Sequence, residues 1–137
     1  MSIAERAAAL GLTPDPRGGW SRLDADGDGP PRALHLLGVG DCLEWHRVDG
    51  AGEGWTHLEG GPLALTVSPN GHDATAFRLG PNAAMGERAR VDVPDGHWRA
   101  AEPLGAWTLL ALDHDRPGAA RVDAPPGWRP VPRAPGG

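Results

Sequence analysis

The chain has one cysteine, no lysine, no tyrosine and a single phenylalanine in 137 residues. With Cys42 alone there is no internal disulfide, which agrees with a reducing compartment. No apolar run approaches the roughly 18 residues that a membrane helix needs. The start, Met1-Ser2-Ile3-Ala4-Glu5-Arg6, lacks the basic cluster and apolar block of a secretory leader. These absences predict a cytoplasmic protein with no membrane partner. The 13 arginines are scattered along the chain and the formal net charge is −5, so no basic stripe suited to a phosphate backbone exists. Nucleic acid is therefore not expected as a partner. Also missing is any long apolar pattern of helical period, which argues against a helical bundle.

What is abundant is turn chemistry, with 21 glycines and 15 prolines. They divide the chain into apolar runs of strand length at Ala33 to Leu37, Cys42 to Val48, Gly54 to Leu58, Leu63 to Val67, Thr75 to Leu79, Ala89 to Val93, Trp98 to Ala101 and Trp107 to Leu112. Leu63, Leu65 and Val67 alternate with smaller or polar residues, as do Thr75, Phe77 and Leu79, and then Ala89, Val91 and Val93. Each such strand has an inner and an outer face. Before them, Ser2 and Glu5 are spaced as a capping box and Ala7 to Leu10 are good helix formers ahead of Gly11, so one short N-terminal helix is expected. An all-β jelly roll fits this pattern. A single domain is expected over residues 1–123, followed by a Pro/Gly-rich tail at 124–137, extended or disordered, that Trp128 and Val131 would pin to a surface.

Two motifs carry candidate chemistry. Asp24-Ala25-Asp26-Gly27-Asp28-Gly29 copies the first half of a calcium loop, but His35 stands where the bidentate glutamate belongs and Pro30 and Pro31 interrupt it, so an acidic surface turn is the expectation. The second motif has two parts. Gly38, Glu44, His46, Glu53 and Gly60 come first, then Pro94-Asp95-Gly96-His97-Trp98-Arg99.

This spacing resembles the two-part metal motif of the cupins, with Glu44 and Arg99 in positions that the motif gives to histidine. Other stretches narrow the resemblance to the small cupin-5 family, of which the chain looks like a divergent member. Leu10-Gly11-Leu12 through Pro16-Arg17-Gly18-Gly19-Trp20 is similar to the family's opening, Trp45-His46-Arg47-Val48 to its Trp-His-Arg-Val, and Gly60-Gly61-Pro62-Leu63 to its Gly-Asp-Pro-Leu. Val93-Pro94-Asp95-Gly96-His97-Trp98-Arg99-Ala100-Ala101 is close to Val-Pro-Ala-Gly-x-Trp-Gln-Ala-Ala. Asp15, Arg17, Arg99 and the polar triplet Asp113-His114-Asp115 depart from the family pattern. The resemblance implies a cupin double-stranded β-helix like that of sugar-nucleotide epimerases, and a homodimer. It implies no particular substrate.

If strand alternation holds, Cys42, Glu44 and His46 share one face, and the motif brings Glu53 to the same point. Glu44, His46 and Glu53 would then be a catalytic set, or the ligands of a divalent iron, manganese, zinc or nickel ion. Arg99 opposes a metal and instead suits a carboxylate or phosphate of a small ligand, with His46 and a carboxylate moving protons. His35, His57, Trp98 and Cys42 are further candidates for lining the pocket. Three functions follow: an isomerase, epimerase or lyase acting on a small polar or anionic metabolite; a metal-dependent, oxygenase-like cupin; or a non-catalytic ligand-binding cupin.

Overall fold

A computed structural model describes residues 1–24 and 31–133. The calcium-like turn falls largely on residues 25–30, outside the described residues. The chain opens with helix α1 (Ile3–Ala9), whose capping box is formed in both directions by Ser2 and Glu5, and Gly11 follows at φ 71°. Strands β1 (Thr13–Pro14), β2 (Trp20–Asp24), β3 (Arg32–Gly38), β4 (Leu43–Asp49), β5 (Glu53–Gly60), β6 (Leu63–Ser68), β7 (Thr75–Leu79), β8 (Arg90–Val93), β9 (Trp98–Pro103), β10 (Trp107–His114) and β11 (Ala120–Asp123) come after it. They form two antiparallel sheets. The first has the order β1-β2-β3-β10-β5-β8 and the second β11-β4-β9-β6-β7. The eight strands expected from turn residues are all there, joined by β1, β2 and β11.

Alternation supplies the inner faces, and Leu37, Trp55, Leu63, Leu65, Leu79 and Leu110, each fully buried, fill the space between the sheets. Trp55 is the largest of them, and burying an aromatic of this size contributes on the order of 2–3 kcal/mol. A second cluster, Ala7, Leu12, Leu34, Leu36, Leu109 and Ala111, seats α1 on the outside of the first sheet. Arg6 lies over the Trp107 ring at 3.9 Å and closes the edge of that layer.

Beyond β11 the chain crosses the outer face of the second sheet without regular structure. Trp128 stacks on Trp98 at 4.4 Å between ring centroids and meets Trp45 edge-on at 5.9 Å. The Val131 amide donates to Gly71 O at 2.8 Å. Trp128 and Val131 thus hold the described part of the tail down.

Candidate functional site

The apolar core leaves a cavity of about 920 Å³ between β2, β3, β5 and β10 on one side and β4 and β11 on the other. Two cross-strand pairs face each other between the sheets, and three of their four residues, all but Arg99, line the cavity. In the first sheet, His114 at the end of β10 is in register with Glu53 at the start of β5. In the second, His46 of β4 is in register with Arg99 of β9. An ion pair joins the sheets: Arg99 Nη1 donates to Glu53 Oε1 at 2.9 Å.

Both oxygens of the Glu53 carboxylate accept hydrogen bonds. Oε1 also accepts from Trp55 Nε1 at 2.9 Å, and Oε2 accepts from His114 Nε2 at 2.8 Å. Burial opposes its charge, but the His114 hydrogen bond and the charges of Arg99 and His114 prevail and hold it below the usual carboxylate range. Glu53 is therefore an anion that orients its neighbours, and its lowered pKa makes it a weak base.

The two histidines are driven apart. His46 is buried, and desolvation lowers its pKa to about 4, with help from the charges of Arg121 and Arg99 and against the pull of Glu44 O and Glu53. It is a neutral imidazole. Nδ1–H donates to Glu44 O at 2.8 Å, which fixes the tautomer and leaves the Nε2 lone pair for the cavity that His46 lines. His114 also lines the cavity, and its hydrogen bond to Glu53 raises its pKa against partial burial, favouring the imidazolium. The sequence reading did not select His114. Its only signal there was the polar Asp113-His114-Asp115 break at the end of an apolar strand.

Several expected site residues lie elsewhere. Between Leu43 and His46, β4 advances three residues while β9 advances two, from Ala101 to Arg99, so a bulge at Glu44 and Trp45 resets the alternation. Leu43 and His46 point inward, and Glu44 is exposed on the outer face, where it accepts from Cys42 Sγ at 3.2 Å. The expectation that Cys42, Glu44 and His46 converge is corrected. Trp98 is on that outer face as well, under Trp128 and beside Arg47. His57 Nε2–H is shared between Gly60 O at 3.2 Å and Gly61 O at 3.0 Å, where it fixes the turn before β6 and does not reach the cavity. Only His35, of the histidines expected to bind ligand, lines the cavity, where its Nε2–H donates to Gly18 O at 2.8 Å.

Arg99 is 0 % exposed and does not reach the cavity surface. Its Nη2 donates to His97 O at 2.7 Å and its Nε has no partner among the described residues. It anchors Glu53, and the expectation that it holds a ligand's anion is corrected. A metal at the motif does not fit either. Arg99 places a cation on Glu53, Glu44 faces away, and no three His, Cys, Asp or Glu side chains among the described residues are grouped to hold an ion.

The sequence matches the family Cupin_5, described as Cupin superfamily (DUF985), over residues 32–112. The chain belongs to the Cupin_5 family. Solved structures show the same cupin fold. A protein from Shewanella oneidensis is 22% identical with a TM-score of 0.69, the alignment covering 90% of this chain and 78% of that one. A hypothetical protein from Leishmania major is 17% identical with a TM-score of 0.67, covering 90% and 81%. Bacillus subtilis oxalate decarboxylase, in a study of its Mn(II) centres, is 17% identical with a TM-score of 0.65, covering 83% of this chain but only 30% of that longer one. No curated protein matches the sequence. β11 and its Arg121 lie beyond the residues that the Cupin_5 match covers. No helix among the described residues is long and apolar enough to cross a membrane.

Proposed function

We propose that this Cupin_5 protein is an acid–base enzyme of the isomerase or epimerase type, acting on a small polar, anionic metabolite inside the barrel. The observation that carries the reading is the pair of histidines lining one cavity from facing sheets, His46 with Nδ1 bound to Glu44 O and kept neutral by burial, His114 bound to Glu53 and so favoured as its imidazolium. Two titratable groups whose surroundings push them apart provide an acid and a base at one pH. His46 Nε2 takes a proton from a carbon beside a carbonyl, and His114 supplies a proton to the resulting enolate. The cycle leaves His46 protonated and His114 neutral, and both recover through solvent at the open mouth. Glu53 stabilises the imidazolium and keeps the ring in place, and Arg99 keeps Glu53 ionised. Val48 and Leu112 supply the apolar wall that holds the reacting carbon away from water.

The test is solvent exchange. Keto acids and anionic sugars are incubated with the protein in deuterium oxide and followed by proton NMR. Deuterium should enter at the carbon beside the carbonyl, and His46→Gln should abolish this while circular dichroism and melting show an intact fold. Absence of exchange throughout the panel, or equal exchange in the His46→Gln variant, would contradict the proposal.

A further inference from the structure

The cavity mouth carries arginines whose placement the proton-transfer pair does not explain. Arg17, on the loop between β1 and β2, is held along one edge: Nε donates to Asp15 Oδ1 at 3.0 Å and Nη2 to Asp15 Oδ2 at 3.0 Å. Asp15 is itself 9% exposed and fixed from behind by Ser21 Oγ at 2.7 Å and the Arg17 amide at 2.8 Å. Burial opposes its charge, yet the bonds from Arg17 and Ser21 keep it ionised well below the usual carboxylate range.

The loop depends on glycine. Gly18 and Gly19 have φ of 128° and 69°, and a Cβ on either would strike a backbone carbonyl, that of Cys42 or Leu36. So close an approach sets the Arg17 guanidinium on the cavity wall, and its Nη1 bonds to none of the described residues. Arg121, on β11, also has an aspartate partner, though a more exposed one held by a single bond. Its Nε donates to Asp123 Oδ1 at 2.6 Å, leaving the Nη edge, and it lines the same cavity. Arg17 feels the charge of Asp123, and His35 feels both arginines, so the two sit around one mouth.

Meanwhile each carboxylate of the described wall already accepts at least one hydrogen bond from the protein. Glu53 accepts three bonds, Asp113 takes two from Arg90 at 2.9 Å each, and Asp115 accepts the Gly52 amide at 2.9 Å. Guanidinium groups outnumber carboxylates on the described wall, with Arg17, Arg22, Arg116 and Arg121 against Glu53, Asp113 and Asp115, which favours a ligand that brings acceptors and negative charge.

We infer that Arg17 and Arg121 form a clamp for the phosphate group of a small phosphate monoester, whose carbon chain runs inward to His46 and His114. One guanidinium edge satisfies a planar carboxylate. Two edges with two charges match a dianionic, tetrahedral group that has three terminal oxygens. Asp15 and Asp123 are positioning residues, each turning an arginine so that its outer edge faces the ligand. The inference rests on the cavity being the active site, but it concerns recognition and leaves the proton transfer aside.

Titration calorimetry with inorganic phosphate, and separately with acetate and malonate, tests it on the whole chain. Phosphate should bind saturably and more tightly than either carboxylate. Arg121→Gln should weaken it at least tenfold, and so should Arg17→Gln, with melting curves checking that each variant is folded. Arg121 is the safer site, because removing Arg17 strips the partner from Asp15. His46→Gln should bind phosphate as the parent does. Malonate binding tighter than phosphate, no saturable phosphate binding, or an unchanged affinity in a folded Arg121→Gln would overturn the clamp. Phosphate bound as expected by a protein that exchanges no substrate proton would leave the clamp standing and sink the proton-transfer reading alone.

Discussion

Glu53 and Arg99, 46 residues apart and on opposite sheets, are joined by a 2.9 Å ion pair in the closed interior of the barrel. Arg99 is fully buried and burial lowers its pKa against the pull of Glu53, so the guanidinium depends on this one carboxylate. Breaking such a pair from one side leaves a bare buried charge, at about 3–5 kcal/mol. Glu53→Gln should lower the denaturant midpoint accordingly. Combining it with Arg99→Met should restore much of the loss, because the orphaned cation is then gone. Urea unfolding of the two single variants and the double variant measures the coupling.

Stability should fall with acid in two stages. His46 is held neutral, with a pKa of about 4 against an ordinary 6.5, so in the window between them the unfolded chain binds a proton that the folded chain does not. Unfolding free energy should therefore decrease as pH drops from 6.5 toward 4. Glu53 has a lowered pKa, so its contribution is present above the ordinary carboxylate range and is lost further down, as pH falls through its depressed value. Chemical denaturation at a series of pH values should show the first stage flattened in His46→Gln and the second retained.

The outer face of the second sheet should be separable from the cavity. The Cys42 thiol is pushed up by its hydrogen bond to Glu44, with burial adding to it, so its thiolate is scarce. Alkylation of Cys42 should be slower than that of a free thiol and should accelerate in Glu44→Gln. Cys42→Ser should leave phosphate affinity and substrate exchange as they are in the parent. Loss of either would return Cys42 to the site.

The tail should matter at the mouth. β11 is a four-residue edge strand paired only with β4, and Trp128 fixes the chain that follows it against Trp98 and Trp45. Aromatic pairs contribute about 0.5–1.5 kcal/mol each beyond the area they bury. Trp128→Ala should open residues 120–133 to proteolysis while the barrel core stays resistant. It should also weaken phosphate binding several-fold through a less ordered Arg121. Unchanged proteolysis would show that β11 stands without the tail.

Eight strands and the N-terminal helix were legible because turn residues and the period of two are local signals, and the capping box at Ser2 and Glu5 is written within four positions. The site was legible only in part. His46 and Glu53 were found from their spacing, but the bulge that turns Glu44 outward depends on how β4 meets β9, and a single strand does not encode it. His114 went unselected because its importance comes from register with Glu53, 61 residues away. Arg17 stood out as a departure from the family pattern, yet its place at the mouth needs the Gly18-Gly19 loop folded against β3 and β4. β11 escaped notice because Pro117 and Gly118 precede only four residues of weak alternation.

The opposed protonation of His46 and His114 is tested most directly by nitrogen-15 NMR titration of the histidine side chains. His114 should titrate above the ordinary 6.5 in the parent and drop back in Glu53→Gln. His46 should hold its proton on Nδ1 and remain neutral down to about pH 4. Both rings titrating together near 6.5 would contradict the acid–base assignment.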